Sequence, residues 1–236
     1  MRLFALYTGG KDSTLAIIKA LKNGYNVNAV LTFISENPYS YMFHRFNVEW
    51  TTLQAVSMGF KHYMFKTKGV KERELEDLKT SFLYMRELGY EGVVAGAIAS
   101  RYQKDRIDRI ASEAGLYVYS PLWGMNQEEL MYEYVRLGIK YMIISVSAWG
   151  LTRDHLGWII DGYDDVEEII KLSRKYVFNP TGEGGEYETF VLDAPLFKYP
   201  IKILKYRIIW EGDSGYLIIE DAKLDIPDIE YDRSKS

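Results

Sequence analysis

The feature that most constrains this chain is a rhythm in which short apolar runs alternate with helix-spaced segments that stop at glycine. Residues 3–7 are continuously apolar and lead into Gly9 and Gly10, as expected of a strand covered on both faces. A helix is predicted over 12–22, with Leu15, Ile18 and Leu21 on one side and Gly24 just past its end. The pattern recurs as a strand near 27–34, a helix near 48–58 stopped by Gly59, and a strand near 62–65. A helix over 71–88 follows, carrying Leu75, Leu78, Phe82 and Met85 and closed by Gly89. Strands near 92–95 and 116–119, with a helix near 105–114 between them, complete the series. Five strands alternating with helices imply right-handed crossovers, and so an α/β fold built on a five-stranded parallel, doubly wound sheet. Ligands of such sheets bind at the carboxyl ends of the strands.

After Pro121 the rhythm breaks. A helix near 127–136, an apolar strand near 141–146 and a helix near 165–175 lead to a glycine-rich, acidic stretch over 180–188. Runs at 203–211 and 216–221 then flank Gly212, Asp213, Ser214 and Gly215 as a hairpin. The expected organisation is a domain over 1–124, a smaller α+β domain over 125–225, and a polar tail over 226–236.

Composition narrows the chemistry. The 236 residues include 29 Lys plus Arg against 33 Asp plus Glu, a net charge of -4. That balance lacks the basic surplus of a phosphate-backbone binder, so stable nucleic-acid binding is not expected. With no cysteine, thiolate nucleophiles, disulfides and zinc thiolate sites are excluded, and His44, His62 and His155 are too scattered for an HxxxH site. No export signal precedes residue 3, and the longest apolar runs are about half the roughly 20 residues of a membrane span. The expectation is a cytoplasmic protein with no membrane segment. A homodimer is admissible.

The first predicted strand runs straight into Thr8, Gly9, Gly10, Lys11, Asp12 and Ser13 before a helix begins. Two glycines let the backbone pass close to an anion, successive amides form a nest, and the unpaired amides of the helix add partial positive charge. Phosphate is the natural occupant. Lys11 would add a full charge, and Thr8 and Ser13 offer hydroxyls. A bare Gly-Gly turn would be no more than a tight connection with Asp12 or Ser13 as N-cap. A Walker A loop is excluded, because it would need glycine at Ala5 and Ser or Thr at Asp12.

Two other segments carry chemistry. Gly96, Ala97, Ile98, Ala99, Ser100, Arg101, Tyr102 and Gln103 follow the fourth strand, where a glycine lets a nucleotide approach the backbone, although Ser100 or Asp105 could simply cap the next helix. Thr181 to Pro195 reads TGEGGEYETFVLDAP. If Glu186 and Glu188 enter a strand, their side chains share one face. Carboxylates gathered there repel one another unless a metal ion or a cationic substrate neutralises them. A solvated acidic hairpin is the plain alternative.

TGGKDS after an apolar strand resembles the SGGxDS signature of the PP-loop ATP pyrophosphatases, with Thr8 for the usual Ser. Joined to GAIASRYQ, to Pro121-Leu122-Trp123 and to GEGGEYETFVLDAP, it resembles the diphthine ammonia ligase, or diphthamide synthase, family from residue 3 to about residue 195. The resemblance implies ATP-dependent amidation of diphthine on translation elongation factor 2, with ammonia as nitrogen donor and AMP and pyrophosphate as products. It implies ATP held by Thr8, Gly9, Gly10, Lys11, Asp12, Ser13, Gly96 and Ala97, with Phe33 as a guess for adenine packing and Mg2+ ordered by Asp12. Candidate catalytic residues are Lys11, Asp12, Glu183, Glu186 and Glu188. Candidate substrate contacts are His44, Ser100, Tyr102, Gln103, Gly184, Gly185, Glu186, Tyr187 and Asp193. Glu186 would attract ammonium and help deprotonate it, while Glu183, Glu188, Asp193 and the Tyr187 ring would face the quaternary ammonium of diphthine. The rival activities are a PP-loop amide ligase acting on a small carboxylate, and a tRNA-modifying PP-loop enzyme.

Overall fold

A computed structural model describes residues 1–35, 47–69 and 73–227. Its first part alternates as read: β1 (Arg2–Leu6), α1 (Lys11–Lys22), β2 (Asn26–Ser35), α2 (Thr51–Met58), β3 (Lys61–Thr67), α3 (Arg73–Glu87), β4 (Gly92–Val94), α4 (Arg101–Glu113) and β5 (Tyr117–Tyr119). The strands form one parallel sheet in the order β3-β2-β1-β4-β5. The chain therefore reverses its winding direction between β3 and β4, and the crevice of the switch lies between the carboxyl ends of β1 and β4. α3 and α4 cover one face through Leu78, Phe82, Met85, Ile110 and Ala111, which pack on Phe4, Leu31 and Val93.

The second part contains α5 (Gln127–Arg136), β6 (Lys140–Val146), β7 (Ile159–Ile160), α6 (Tyr163–Tyr176), β8 (Tyr187–Asp193), β9 (Ile201–Glu211) and β10 (Ser214–Leu224). All its pairings are antiparallel. β8 takes one edge of β6 along its length, so the other edge is shared by β7 at Tyr141 and Met142 and by β10 at Ser145 and Val146. Two of these strands differ from expectation. β7 has only two residues, too few for a sequence period, and β8 begins inside the glycine-rich acidic motif.

α1 explains how the parts are joined. Leu15, Ala16, Ile17, Ile18 and Ala20 are all buried, so the helix has apolar contacts nearly all round. It lies in a continuous core with Leu3 and Ala5 of β1, Leu130 and Tyr134 of α5, Ile143 of β6 and Val191 of β8. The loop that starts α1 is thereby set against both sheets. No helix of the described residues is long and apolar enough to cross a membrane.

Candidate functional site

The turn after β1 is fixed by a side chain 45 residues away. Gln54 of α2 is fully buried, and its Nε2 donates to the carbonyl of Gly9 (3.1 Å) and to that of Val191 on β8 (2.7 Å). The Val191 amide donates to the same Gly9 carbonyl at 2.8 Å. Gly9 has φ +82, and a Cβ there would stand 2.7 Å from Gln54 Oε1. Both facts require glycine. Ser13 Oγ and Thr14 Oγ1 donate to the Gly10 carbonyl (3.1 and 3.0 Å), and Thr8 Oγ1 stands 3.5 Å from Ser13 Oγ. These hydrogen bonds hold the turn through the protein's own groups.

Lys11 and Asp12 diverge from this turn. The Lys11 ammonium is 2% exposed; it donates to the Thr181 carbonyl (2.6 Å) and to Asp12 Oδ2 (3.0 Å), between the rings of Tyr134 (5.4 Å) and Tyr187 (5.3 Å). Tyr134 donates its hydroxyl to Asp12 Oδ1. Burial, and then the Asp12 carboxylate, hold the Tyr134 phenol far above its ordinary pKa, so it stays a donor. Asp12 is 28% exposed. Both its oxygens are thus aligned by donors.

Opposite the turn, the segment after β4 meets the glycine-rich loop. A Cβ on Gly96 would stand 2.9 Å from Ser13 N and 3.0 Å from the Asp12 carbonyl carbon. This glycine lets the backbone of the turn from Thr8 to Ser13 come close. Glu183 Oε1 accepts from the amides of Ile98 (2.9 Å), Ala99 (2.8 Å) and Ser100 (3.0 Å). Ser100 caps α4 by accepting from the Gln103 amide at 3.4 Å. Between these segments is a cavity of about 450 Å³ at the carboxyl ends of β1 and β4.

That cavity gathers most of the sequence candidates. Thr8, Gly10, Lys11, Asp12, Ser13, Phe33, Gly96, Ala97, Ser100, Tyr102, Gln103, Glu183, Gly184, Gly185, Tyr187 and Glu188 line it. Gly9, Glu186 and Asp193 do not. Glu186 stops short of β8 and turns back on its own loop, accepting from Asn179 N (3.1 Å) and Gly184 N (2.7 Å). Asp193 ends β8, where its carboxylate accepts from Ala194 N at 2.8 Å and burial raises its pKa. Tyr187 is buried beneath the loop and donates to the Pro180 carbonyl. His44 lies outside the described residues. Gln54 and Tyr134 were not among the sequence candidates, and Thr181, which opens the glycine-rich motif, was given no role of its own. For Gln54 the available signal was a polar residue beside Ala55 on a helix otherwise read by its apolar positions.

Among the described residues no group of three or more His, Asp and Glu side chains converges as a metal cage. Asp12, at the cavity and already oriented, fits the single carboxylate that a magnesium ion carried by a nucleotide requires, since such an ion takes its other ligands from phosphates and water.

A glycine turn clamped at the crevice of a 3-2-1-4-5 parallel sheet, with a second antiparallel sheet closing over it, is the architecture of nucleotide-binding α/β proteins of the PP-loop kind. Comparison with known proteins narrows this. Residues 1–118 match the family model for the diphthamide synthase N-terminal domain, and residues 126–224 match that for its C-terminal domain. A Homo sapiens protein named diphthine–ammonia ligase is 31% identical over 97% of this chain and 96% of its own length. The Mus musculus protein of that name is 34% identical over 86% of this chain and 83% of its own. One from Schizosaccharomyces pombe is 32% identical over 97% of this chain, which spans 40% of that longer protein. A solved structure described as a predicted subunit of tRNA methyltransferase from Methanocaldococcus jannaschii aligns with a TM-score of 0.46 at 16% identity, over 83% of this chain and 98% of that one. That likeness is too remote to carry meaning. The chain belongs to the diphthamide synthase family, whose curated relatives are ligases by name.

Proposed function

We propose that this enzyme uses ATP and ammonia to convert the carboxylate of diphthine on translation elongation factor 2 into the amide, releasing AMP and pyrophosphate. The observation that carries the reading is the clamped turn from Thr8 to Ser13 facing a cavity that residues of both parts line. In the first half-reaction the diphthine carboxylate oxygen attacks the α-phosphorus, the bond from that phosphorus to the bridging oxygen of the β-phosphate breaks, and pyrophosphate leaves. The amides of Gly10, Asp12 and Ser13 at the N-terminus of α1 stabilise the departing charge, with the Thr8 and Ser13 hydroxyls beside them, while the Lys11 amide donates to Thr189 Oγ1 at 3.2 Å. Magnesium, ordered by Asp12, would neutralise phosphate charge. Gly96 and Ala97 border the nucleotide and Phe33 packs on adenine.

In the second half-reaction ammonia attacks the acyl carbon of the adenylate, the bond from that carbon to the phosphate oxygen breaks, AMP leaves and the proton released by nitrogen passes to solvent. Glu188 lines the cavity and supplies negative charge for an ammonium ion or for the quaternary ammonium of diphthine, while Ser100, Tyr102 and Gln103 line the acceptor side. The division at about residue 124 follows the same logic, the first part binding nucleotide and the second completing the acceptor site. We place the enzyme in the cytoplasm with its protein substrate.

The test incubates the full chain with ATP, magnesium, ammonium and diphthine-bearing elongation factor, then weighs the factor. Replacing a carboxyl OH by NH2 lowers its mass by about one unit. A factor of unchanged mass, with AMP accumulating only when a small carboxylate is supplied, would assign the acceptor to metabolites instead.

A further inference from the structure

Between Thr181 and Glu186 the chain leaves the second part and crosses to the first. It is tied down differently at its two ends. On the near side Glu186 bonds Asn179 N and Gly184 N, Ser147 Oγ donates to the Gly185 carbonyl at 2.6 Å, and the Ser147 amide donates to the Glu186 carbonyl at 2.8 Å. On the far side two contacts reach the nucleotide-binding part: the Thr181 carbonyl on Lys11 Nζ, and Glu183 Oε1 on the amides of Ile98, Ala99 and Ser100. Thr181, Gly182, Glu183, Gly184 and Gly185 all border the cavity. The segment is a strap laid over it.

Glu183 has one chemical assignment that fits this geometry. Its Oε1 already accepts three N–H bonds from consecutive amides at the N-terminus of a 13-residue helix, an arrangement that favours a fixed carboxylate. An oxygen committed to three amides is held where it is rather than free to swing toward a substrate. We infer that Glu183 is a positioning residue whose carboxylate latches the strap across the cavity, closing the acyl adenylate off from water while ammonia reacts. The inference rests on the proposed adenylation chemistry. If the latch is lost, water competes for the acyl carbon: its oxygen bonds to that carbon, AMP leaves, and the acceptor returns as carboxylate with one ATP consumed.

Two variants and two readouts test this in the full chain. Glu183→Ala removes the acceptor, while Glu183→Gln keeps an acceptor oxygen without the charge. Amide hydrogen exchange at Ile98, Ala99 and Ser100 should quicken by roughly tenfold or more in Glu183→Ala, with Glu183→Gln in between. Pyrophosphate released per amide formed should rise from about one to several in Glu183→Ala, and Glu183→Gln should return most of the coupling. A residue that merely props up the fold would lower both products in step and leave their ratio alone. Unchanged exchange at those three amides, or a ratio that stays near one, overturns the latch. A wild-type enzyme that released no pyrophosphate would overturn the adenylation reading instead, and the exchange comparison would still decide whether Glu183 holds the strap.

Discussion

Asp12→Ala is expected to lower ATP-dependent turnover by roughly a thousandfold, about 4 kcal/mol of transition-state stabilisation at 1.36 kcal/mol per decade. Asp12 is the carboxylate to which two donors are dedicated, Lys11 Nζ on Oδ2 and Tyr134 on Oδ1. Removing it takes away the group proposed to order the metal and leaves a 2% exposed ammonium without its counter-charge. Breaking such a pair from one side is destabilising, here by about 2 kcal/mol because Asp12 itself is part-exposed. Asp12→Asn discriminates further. An amide can accept at only one of the two positions and must point its NH2 at either the ammonium or the phenol, so Asn should retain the fold better than the function. Steady-state pyrophosphate release and thermal unfolding, measured on the same samples, separate the two effects. Turnover within tenfold of wild type for Asp12→Ala would remove Asp12 from the chemistry.

Gly96→Ala is the second large effect, and it arises without any charge change. The added methyl would stand 2.9 Å from Ser13 N, 3.0 Å from the Asp12 carbonyl carbon and 3.1 Å from Ser13 Cα. All three are backbone atoms of the turn from Thr8 to Ser13, whose Gly9 carbonyl Gln54 and Val191 hold, so the strain cannot escape through a side-chain rotation. Overpacking of this kind costs about 1–3 kcal/mol, or roughly 3–10 °C in Tm for a chain of this size. Because the displaced atoms are those that would face the phosphates, the KM for ATP should rise more than tenfold. Gly24→Ala is the matched control. Gly24 has φ +80 with nothing within 4 Å of an added Cβ, so it should lose stability through backbone strain and leave the KM for ATP unchanged.

The comparison of sequence with structure has a physical pattern. β1, β2 and β4 were legible because strands buried inside a sheet are short continuous apolar runs, whereas the part-exposed edge strands β3 and β5 were placed by the helices before them, which end at glycines such as Gly59 and Gly115. The turn from Thr8 to Ser13 was legible because its chemistry is local. What escaped was long-range. Lys11 read as a phosphate ligand from its neighbours, and nothing local could show that its ammonium also bonds the Thr181 carbonyl 170 residues away. Tyr134 meets Asp12 across 122 residues and Gln54 meets Val191 across 137, and no spacing rule reaches that far. Glu186 and Glu188 read as strand neighbours sharing a face, but β8 starts at Tyr187 and only Glu188 belongs to it. Sequence period cannot register a carboxylate that turns back to cap its own loop.

Which bond of ATP is cut decides the mechanism. Phosphorus NMR of the products formed by the full chain with ATP, magnesium, ammonium and diphthine-bearing factor reads this directly. AMP and pyrophosphate appearing together, in proportion to amide formed, is the predicted result; ADP and orthophosphate in their place would contradict it.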